Sequence, residues 1–252
     1  MSTYVVSDIH GQLNTFLTGL KAIAFTSEDF LYVIGDAIDR GPESIKILEM
    51  IKTEPNMDLI IGNHEFMMLN SVDAEGEKTC DGEDAALWLY YNGGDATYKK
   101  YKKLPKTKRV SILSWLRHRY VMKTLEIDGN KFCLTHSYYK QGLEDKKFNE
   151  MNYQDIWNIV WTSIYRDDFQ TMGTNIYGEY DYTFITGHVP VQRVRKWFVV
   201  EEDYDRLEAH RNGNLIDIDG GCSIGYQDDL NNGLIFLRLD DLKEFPVHIL
   251  SK

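Results

Sequence analysis

Cysteine is scarce in this sequence. Cys80, Cys133 and Cys222 are odd in number and widely separated, with no Cys-x-x-Cys pair. Neither a disulfide framework nor a thiolate metal site fits that spacing, and free thiols in a reducing, cytoplasmic setting are the simplest reading. Basic residues are also in deficit. With 28 Lys and Arg against 39 Asp and Glu the net charge is −11, which argues against a protein that coats nucleic acid, because phosphate contacts need clustered cations. A phosphorylated substrate stays open, since divalent cations absent from that count can reverse the field locally. No apolar stretch approaches the ~20 residues of a membrane span, so no membrane partner is expected. The opening Met1-Ser2-Thr3-Tyr4-Val5 has neither the basic region nor the apolar core of a secretory signal. Repeats, low-complexity segments and a Walker-type glycine loop are likewise missing.

What is present is an ordinary soluble composition, 43% hydrophobic and 27% charged, in a sequence long enough for one large α/β domain with a buried core. No linker is long enough to divide it, so residues 1–252 read as one domain. Short apolar runs alternate with amphipathic stretches. Thr3–Val6, Phe30–Ile34 and Asp58–Ile61 read as strands, the second as a buried strand of a parallel sheet. Leu13, Phe16, Leu17, Leu20 and Ile23 recur at helical spacing, which predicts a helix over 12–24; Pro42 suits the start of a second helix that runs to about Thr53. Phe66-Met67-Met68-Leu69 begins a third. From 73 to 123 the pattern weakens, and short helices around 83–91, 95–103 and 108–118 form an insertion or cap. Its aromatics read as helix packing, with a substrate-facing role open for one or two.

Met122–Ile127 and Lys131–Thr135 are two strands joined at Asp128-Gly129, a hairpin signal. Residues 140–170 form a second helical excursion that carries Trp157, Trp161 and Arg166. Tyr182–Thr186 is another strand. From Val191 onward strands with tight turns are expected, at Trp197–Val200, Arg206–His210, Leu215–Ile218, Gly233–Leu239 and Pro246–Leu250.

Five of these apolar strands close on side chains that bind metals: Asp8 with His10, then Asp36, Asn63, His136 and His188. In Asp8-Ile9-His10 the acid and the imidazole point the same way, because alternate residues share a face. Taken singly, each strand end also reads as a helix cap, a surface histidine or a polar turn kept for its geometry. Five together are a different matter. If the strand ends align, six N/O donors with one carboxylate able to bridge suit two divalent first-row ions about 3.5–4 Å apart. The Gly35–Gly41 heptad adds Asp39 and Arg40, and a guanidinium forks onto phosphate.

Asp8-Ile9-His10-Gly11, Gly35-Asp36-Ala37-Ile38-Asp39-Arg40-Gly41 and Gly62-Asn63-His64-Glu65, in this order and with strand–helix units between them, resemble the three signatures of the calcineurin-like metallophosphoesterases. The Asp39-Arg40-Gly41 ending is similar to the branch that holds bacterial and phage Ser/Thr protein phosphatases and the related diadenosine tetraphosphate hydrolases. His136, His188 and the Asp219-Gly220-Gly221 stretch follow in the order that the resemblance implies. It implies an α/β (α+β) fold, a β-sandwich flanked by helices, with helical insertions at 73–123 and 140–170. It also implies Asp8 and His10 on one metal, Asn63, His136 and His188 on the other, and Asp36 between them. Arg40 would grip the phosphate together with Asn63, and His64 would be the general acid held by Asp39. The family's second phosphate-binding arginine follows a tryptophan, which points to Trp161 and Arg166, although their spacing is longer than the bacterial pattern. His136-Ser137 stands where His-Ala-Gly is usual, and Ser7 where glycine is frequent. Glu65 is expected to support its turn and do no chemistry.

The chemistry agrees with these roles. Phosphoester hydrolysis needs a hydroxide at neutral pH, which metal coordination supplies, and charge compensation on the phosphoryl oxygens. A leaving alkoxide needs a proton, and His64 can deliver it if Asp39 favours its charged form. The expected activity is that of a phosphoprotein phosphatase for Ser/Thr phosphate, with two ions, manganese first and iron or zinc also suited. A symmetrical dinucleoside polyphosphate hydrolase is the alternative reading, and a metal-bound scaffold with weak activity the third. His118, His210 and His248 have no motif around them and read as structural.

Overall fold

The computed structural model describes residues 1–73, 75–76, 82–165, 177–198, 204–225, 227 and 230–249. Two five-stranded mixed sheets organise them. In the first, β1 (Thr3–Ser7), β2 (Phe30–Ile34) and β3 (Met57–Ile60) run parallel, and β9 (Gly233–Arg238) and β10 (Lys243–His248) add antiparallel strands beyond β1. In the second, β5 (Asn130–Thr135), β6 (Thr183–Thr186) and β8 (Leu215–Asp217) run parallel, flanked by β4 (Met122–Ile127) and β7 (His210–Asn212), each antiparallel to its neighbour.

The period-two alternation of these strands makes the sandwich. Val5, Ile34, Ile60, Ile235 and Leu237 of the first sheet share one buried cluster with Phe132, Leu134, Ile185 and Ile216 of the second. Their alternate neighbours Tyr4, Val6, Leu31, Val33, Leu59 and Phe236 join the cluster that includes Phe16 of helix α1 (Leu13–Ala22) and Ile47, Leu48 and Ile51 of α2 (Ser44–Thr53). Cys133, Phe184 and Leu215 do the same on the outer face of the second sheet, with Ile156, Ile159 and Val160 of α7 (Tyr153–Trp161). A strand covered on both faces reads as a continuous apolar run, which is what β2 shows. α3 (Asn63–Ser71) is buried along nearly its whole length and packs on α4 (Glu83–Ala86), α6 (Lys106–Arg117) and α7, while α5 (Gly94–Tyr101) packs on α2.

Several expectations need correction. The third helix begins at Asn63 and not at Phe66. In place of a strand at Trp197–Val200, Trp197 and Phe198 end the helix α8 (Val191–Phe198); residues 199 and 200 lie outside the described residues. Pro190 stands just ahead of that helix, where the missing N–H and the fixed φ of proline cost nothing. Of the Arg206–His210 stretch only His210 enters a strand, and the last strand begins at Lys243, three residues before Pro246. The proline is tolerated there because β10 is at the sheet edge. The hairpin turn at Asp128-Gly129 stands as expected, and the hairpin signalled at Asn212-Gly213 forms with its two-residue loop at Gly213-Asn214.

Candidate dimetal centre

The parallel strands of both sheets deliver their carboxyl ends to one place. Asp8 and His10 follow β1, Asp36 follows β2, Asn63 follows β3, His136 follows β5 and His188 follows β6. Asp8, His10, Asp36, Asn63 and His136 are buried, and His188 is half-buried. His136 joins the sheets, as its Nδ1–H donates to the Ile34 carbonyl across the sandwich at 3.1 Å. Glycine is required at two of the crossings. A Cβ on Gly35, whose φ is +72°, would sit 2.4 Å from His136 Nδ1, and one on Gly62 would sit 2.3 Å from Asp36 Oδ1. The turns themselves are strained. Asp8, His10, Asp36, Asp39, Arg40 and His188 all have positive φ, a conformation costly for residues with a Cβ and concentrated at functional sites.

Two groups of donors share Asp36. One is His10, Asp36 and His64; the other is Asp36, His136 and His188; within each, the donor atoms lie within 4.8 Å of one another. His10 Nδ1–H donates to the Ile38 carbonyl at 3.0 Å, which turns its Nε2 toward Asp36 Oδ2 at 3.7 Å and Asp8 Oδ1 at 3.9 Å. His136 is held the same way, so its Nε2 lies 3.5 Å from Asp36 Oδ1 and 2.9 Å from Asn63 Oδ1. His188 Nδ1 lies 3.0 Å from the same Asn63 oxygen. A backbone acceptor on one imidazole nitrogen that aims the other is the usual arrangement around a metal. The mixed N/O set of small, oriented donors fits first-row divalent ions, and calcineurin-like metallophosphoesterases use a dimetal centre.

Electrostatics separate the two sides. Burial opposes ionisation of Asp36, but the neighbouring His136, His64 and His10 outweigh it and hold the carboxyl well below its usual range. His136 is pushed up to about 10 despite its burial, chiefly by Asp36. Burial takes His10 well below its ordinary value and His188 down to about 3, helped by His64 in the first case and His136 in the second. Both imidazoles are therefore neutral and free to offer a lone pair. Burial and Asp219 raise Asp8 well above the carboxylate range. A carboxyl that resists ionisation for lack of cations is one that a bound cation would ionise.

His64, one of the first group by distance, is also half of a proton-carrying pair, whereas Asp8, the acid expected on that ion, lies outside both groups. His64 Nδ1–H donates to Asp39 Oδ2 at 2.7 Å, while Nε2 faces Asp36 Oδ2 at 3.7 Å and the Arg40 guanidinium at 3.4 Å. Burial disfavours the imidazolium, yet Asp36 and Asp39 raise His64 above its ordinary value. Asp39 itself is fixed from three sides. Its N–H donates to the hydroxyls of Ser44 and Thr97, and the Trp88 indole N–H donates to the same Oδ2 that His64 uses, at 2.8 Å. The Arg40 N–H donates to the Gly93 carbonyl. Nothing in the sequence set Trp88 apart from the other aromatics of the weakly patterned insertion.

Glu65 meets its expected supporting role. Its carboxylate accepts from the N–H groups of Asp36, Ala37 and Gly62, and so ties the second donor turn to the third; burial and Asp36 raise it to about 7. After His136, Ser137 Oγ donates to the Thr162 carbonyl and Tyr138 N–H to that of Ile159, so the backbone turns onto α7. Asp217 carried no signal in the sequence, yet it is buried with Asp219 close to Asp8. Burial takes Asp217 well above its usual value and Asp219 to about 6. Arg166 lies outside the described residues. Trp161 lines the cavity of about 560 Å³ above the donors, as do Arg40, Arg193 and Lys196.

The chain is 28% identical to serine/threonine-protein phosphatase 2 of Salmonella typhimurium over 63% of its own length and 66% of that relative, just under two thirds. It is 24% identical to the symmetrical bis(5'-nucleosyl)-tetraphosphatase of Aliivibrio fischeri over 97% of both proteins. Two further curated tetraphosphatases are matched over 44% and 26% of their lengths. Among solved structures, a metallophosphoesterase from Sphaerobacter thermophilus superposes with a TM-score of 0.53 and 16% identity, covering 100% of this protein and 88% of the other, a likeness of fold. The model of the calcineurin-like phosphoesterase family matches residues 1–219. With that match over most of its length, and the family's three signatures closing β1, β2 and β3, the chain belongs to the calcineurin-like phosphoesterases.

Proposed function

We propose that the protein is a dimetal phosphoester hydrolase that acts on serine or threonine phosphate in proteins. The observation that carries this reading is the buried Asp39–His64 pair, with His64 Nε2 beside the Arg40 guanidinium. A general acid matters most where the leaving group is a poor one, and an alkoxide is far poorer than the phosphate anion released from an anhydride. Asp8, His10 and Asp36 would hold one ion, Asn63, His136 and His188 the other, with Asp36 between them. Manganese suits this N/O set, as do iron and zinc. When bound, the ions lower the pKa of water and so supply the nucleophile at neutral pH.

The protein's own residues do the rest. The Arg40 guanidinium and the Asn63 amide bind phosphoryl oxygens and compensate their charge. Asp39 fixes His64 by its Nδ1–H, so the proton on Nε2 is aimed at the leaving oxygen. Trp88, Ser44 and Thr97 keep Asp39 in place. A scaffold that only bound metal would have no use for a buried acid and its orienter. Cys133 and Cys222 are free and buried, in keeping with a reducing, cytoplasmic setting.

A second reading, hydrolysis of symmetrical dinucleoside tetraphosphates, is favoured by the similarity over 97% of both proteins to the Aliivibrio fischeri relative. Steady-state kinetics of the manganese-loaded protein would decide between them. A phosphothreonine peptide should show the higher kcat/KM against diadenosine tetraphosphate. The reverse order hands the function to the second reading, and no turnover of either would leave the scaffold.

A further inference from the structure

Helix α8 carries three cations, Arg193, Arg195 and Lys196, and the structure uses them in two ways. Arg195 is buried and points away from the cavity, with its guanidinium donating to the carbonyls of Arg206 and Glu208. At the start of the helix the Val191 N–H donates to the Asp219 carbonyl, and the Gln192 amide to those of Gly220 and Asn231. α8 is thus fixed at its start to the stretch that follows β8 and further along to the loop ahead of β7. Arg193 and Lys196 are exposed, three residues apart on one face, and both open onto the cavity that Arg40, His10 and Asp36 line. Among the described residues neither forms an ion pair with a carboxylate. Lys196 Nζ rests 4.0 Å from the Tyr204 ring centre, which limits its wandering. Asp205, the acid on this rim, is engaged with the Asn231 N–H. In a protein of net charge −11, two cations with no carboxylate partner among the described residues, at the mouth of the phosphoryl site, are a charge pattern that calls for an anion. The cavity of about 560 Å³ has room for more than one phosphoryl group.

We infer that Arg193 and Lys196 form a second phosphate subsite, which binds another phosphoryl group of the same substrate while the scissile one sits beside Arg40. The inference rests on the phosphoester reading of the site, but its test needs no turnover. Calorimetry on the manganese-loaded protein would compare AMP with ADP, which differ by one phosphate. It would also compare a peptide carrying one phosphonomethyl-alanine with the same peptide carrying two, since a phosphonate keeps the charge and cannot be hydrolysed. In wild type the two-phosphate member of at least one pair should bind ~10-fold tighter, as expected of charge-assisted contacts on an exposed rim. Arg193→Gln combined with Lys196→Gln should remove that advantage and leave the one-phosphate member within about two-fold. Unchanged one-phosphate binding also shows that the variant is folded. The pair that shows the advantage identifies its source, nucleotide or phosphopeptide. Equal binding of both members in wild type, an advantage that survives the substitutions, or an equal loss for both members would each overturn the inference. A protein that hydrolyses nothing would defeat the proposed function and leave this binding result standing.

Discussion

The floor of the cavity is made of β-strand ends, whereas its rim is made of helices and loops from three distant stretches of sequence. On the floor, each donor sits one to three residues beyond a buried strand, and register carries it to its place. Parallel pairing of β1 with β2 and of β2 with β3 brings the ends of all three strands to one edge. The contact of His136 with the Ile34 carbonyl then joins the other sheet to that edge. On the rim, Asn92 comes from the first insertion, whose buried Trp88 lies behind it against Asp39, Trp161 from α7, and Arg193 and Lys196 from α8. None of these follows from a neighbour's position in sequence. The floor is a rigid consequence of pairing, fit to hold ions. The rim is where related proteins with the same floor can differ in what they bind.

The sharpest way to break this contrast is at Asp36, where the two donor groups meet. Asp36→Asn removes the one charge common to both. Metal analysis should then show both ions lost together, with an affinity drop beyond the ~10–100-fold that follows loss of an outer hydrogen-bond partner. Loss of one ion alone would mean that the floor is two independent sites.

Next in size is His64, where floor and rim meet through Asp39. His64→Asn should lower kcat on an alkyl phosphate by ~10²–10⁴-fold and raise KM much less. For p-nitrophenyl phosphate, whose leaving group is stable as an anion, the loss should be far smaller. Both ions should remain. The pH profile provides a second check. Because Asp36 and Asp39 raise His64 above 6.5 in the folded protein, its acid form persists at that pH and is lost as pH rises through the raised value. Wild-type kcat on the alkyl phosphate should therefore fall on the alkaline side, and His64→Asn should lack that limb. Equal losses on the two substrates would remove His64 from the role of acid.

The smallest effect tests whether the insertion behind the rim reaches into the chemistry. Trp88→Phe keeps the buried ring and deletes only the N–H to Asp39 Oδ2. Loss of one hydrogen bond to a charged acceptor is worth ~1.5–3 kcal/mol, so kcat on the alkyl phosphate should fall by at most ~10- to 150-fold. p-Nitrophenyl phosphate should be spared. A merely structural tryptophan would depress both substrates alike, or lower the melting temperature without that selectivity.

Much of the floor was legible because period-two alternation and apolar runs are local signals. Phe30–Ile34 reads as a buried strand from its five residues and is one. The segment that begins at Val191 was not legible in the same way. Trp197–Val200 read as a strand, but Pro190 and the burial of Val191 and Val194 favour α8. Because no helix was expected there, Arg193 and Lys196 could not be placed on one helical face. Trp88 gave no signal of its own, as a tryptophan among other aromatics reads as packing until its N–H is seen to find Asp39.

What the sequence determined by itself was the inventory of donors and the strand ends that hold them, since a β-branched or aromatic run followed by glycine and a polar turn is fixed by sterics within a few residues. The tertiary structure alone decided how those ends meet. Parallel pairing, the Gly35 and Gly62 crossings and the His136 bridge set distances between residues as far apart as Asp8 and His188. It also decided which polar side chains face the site from outside the motifs, because a helix face acquires its meaning from what it packs against, and that partner is remote in sequence.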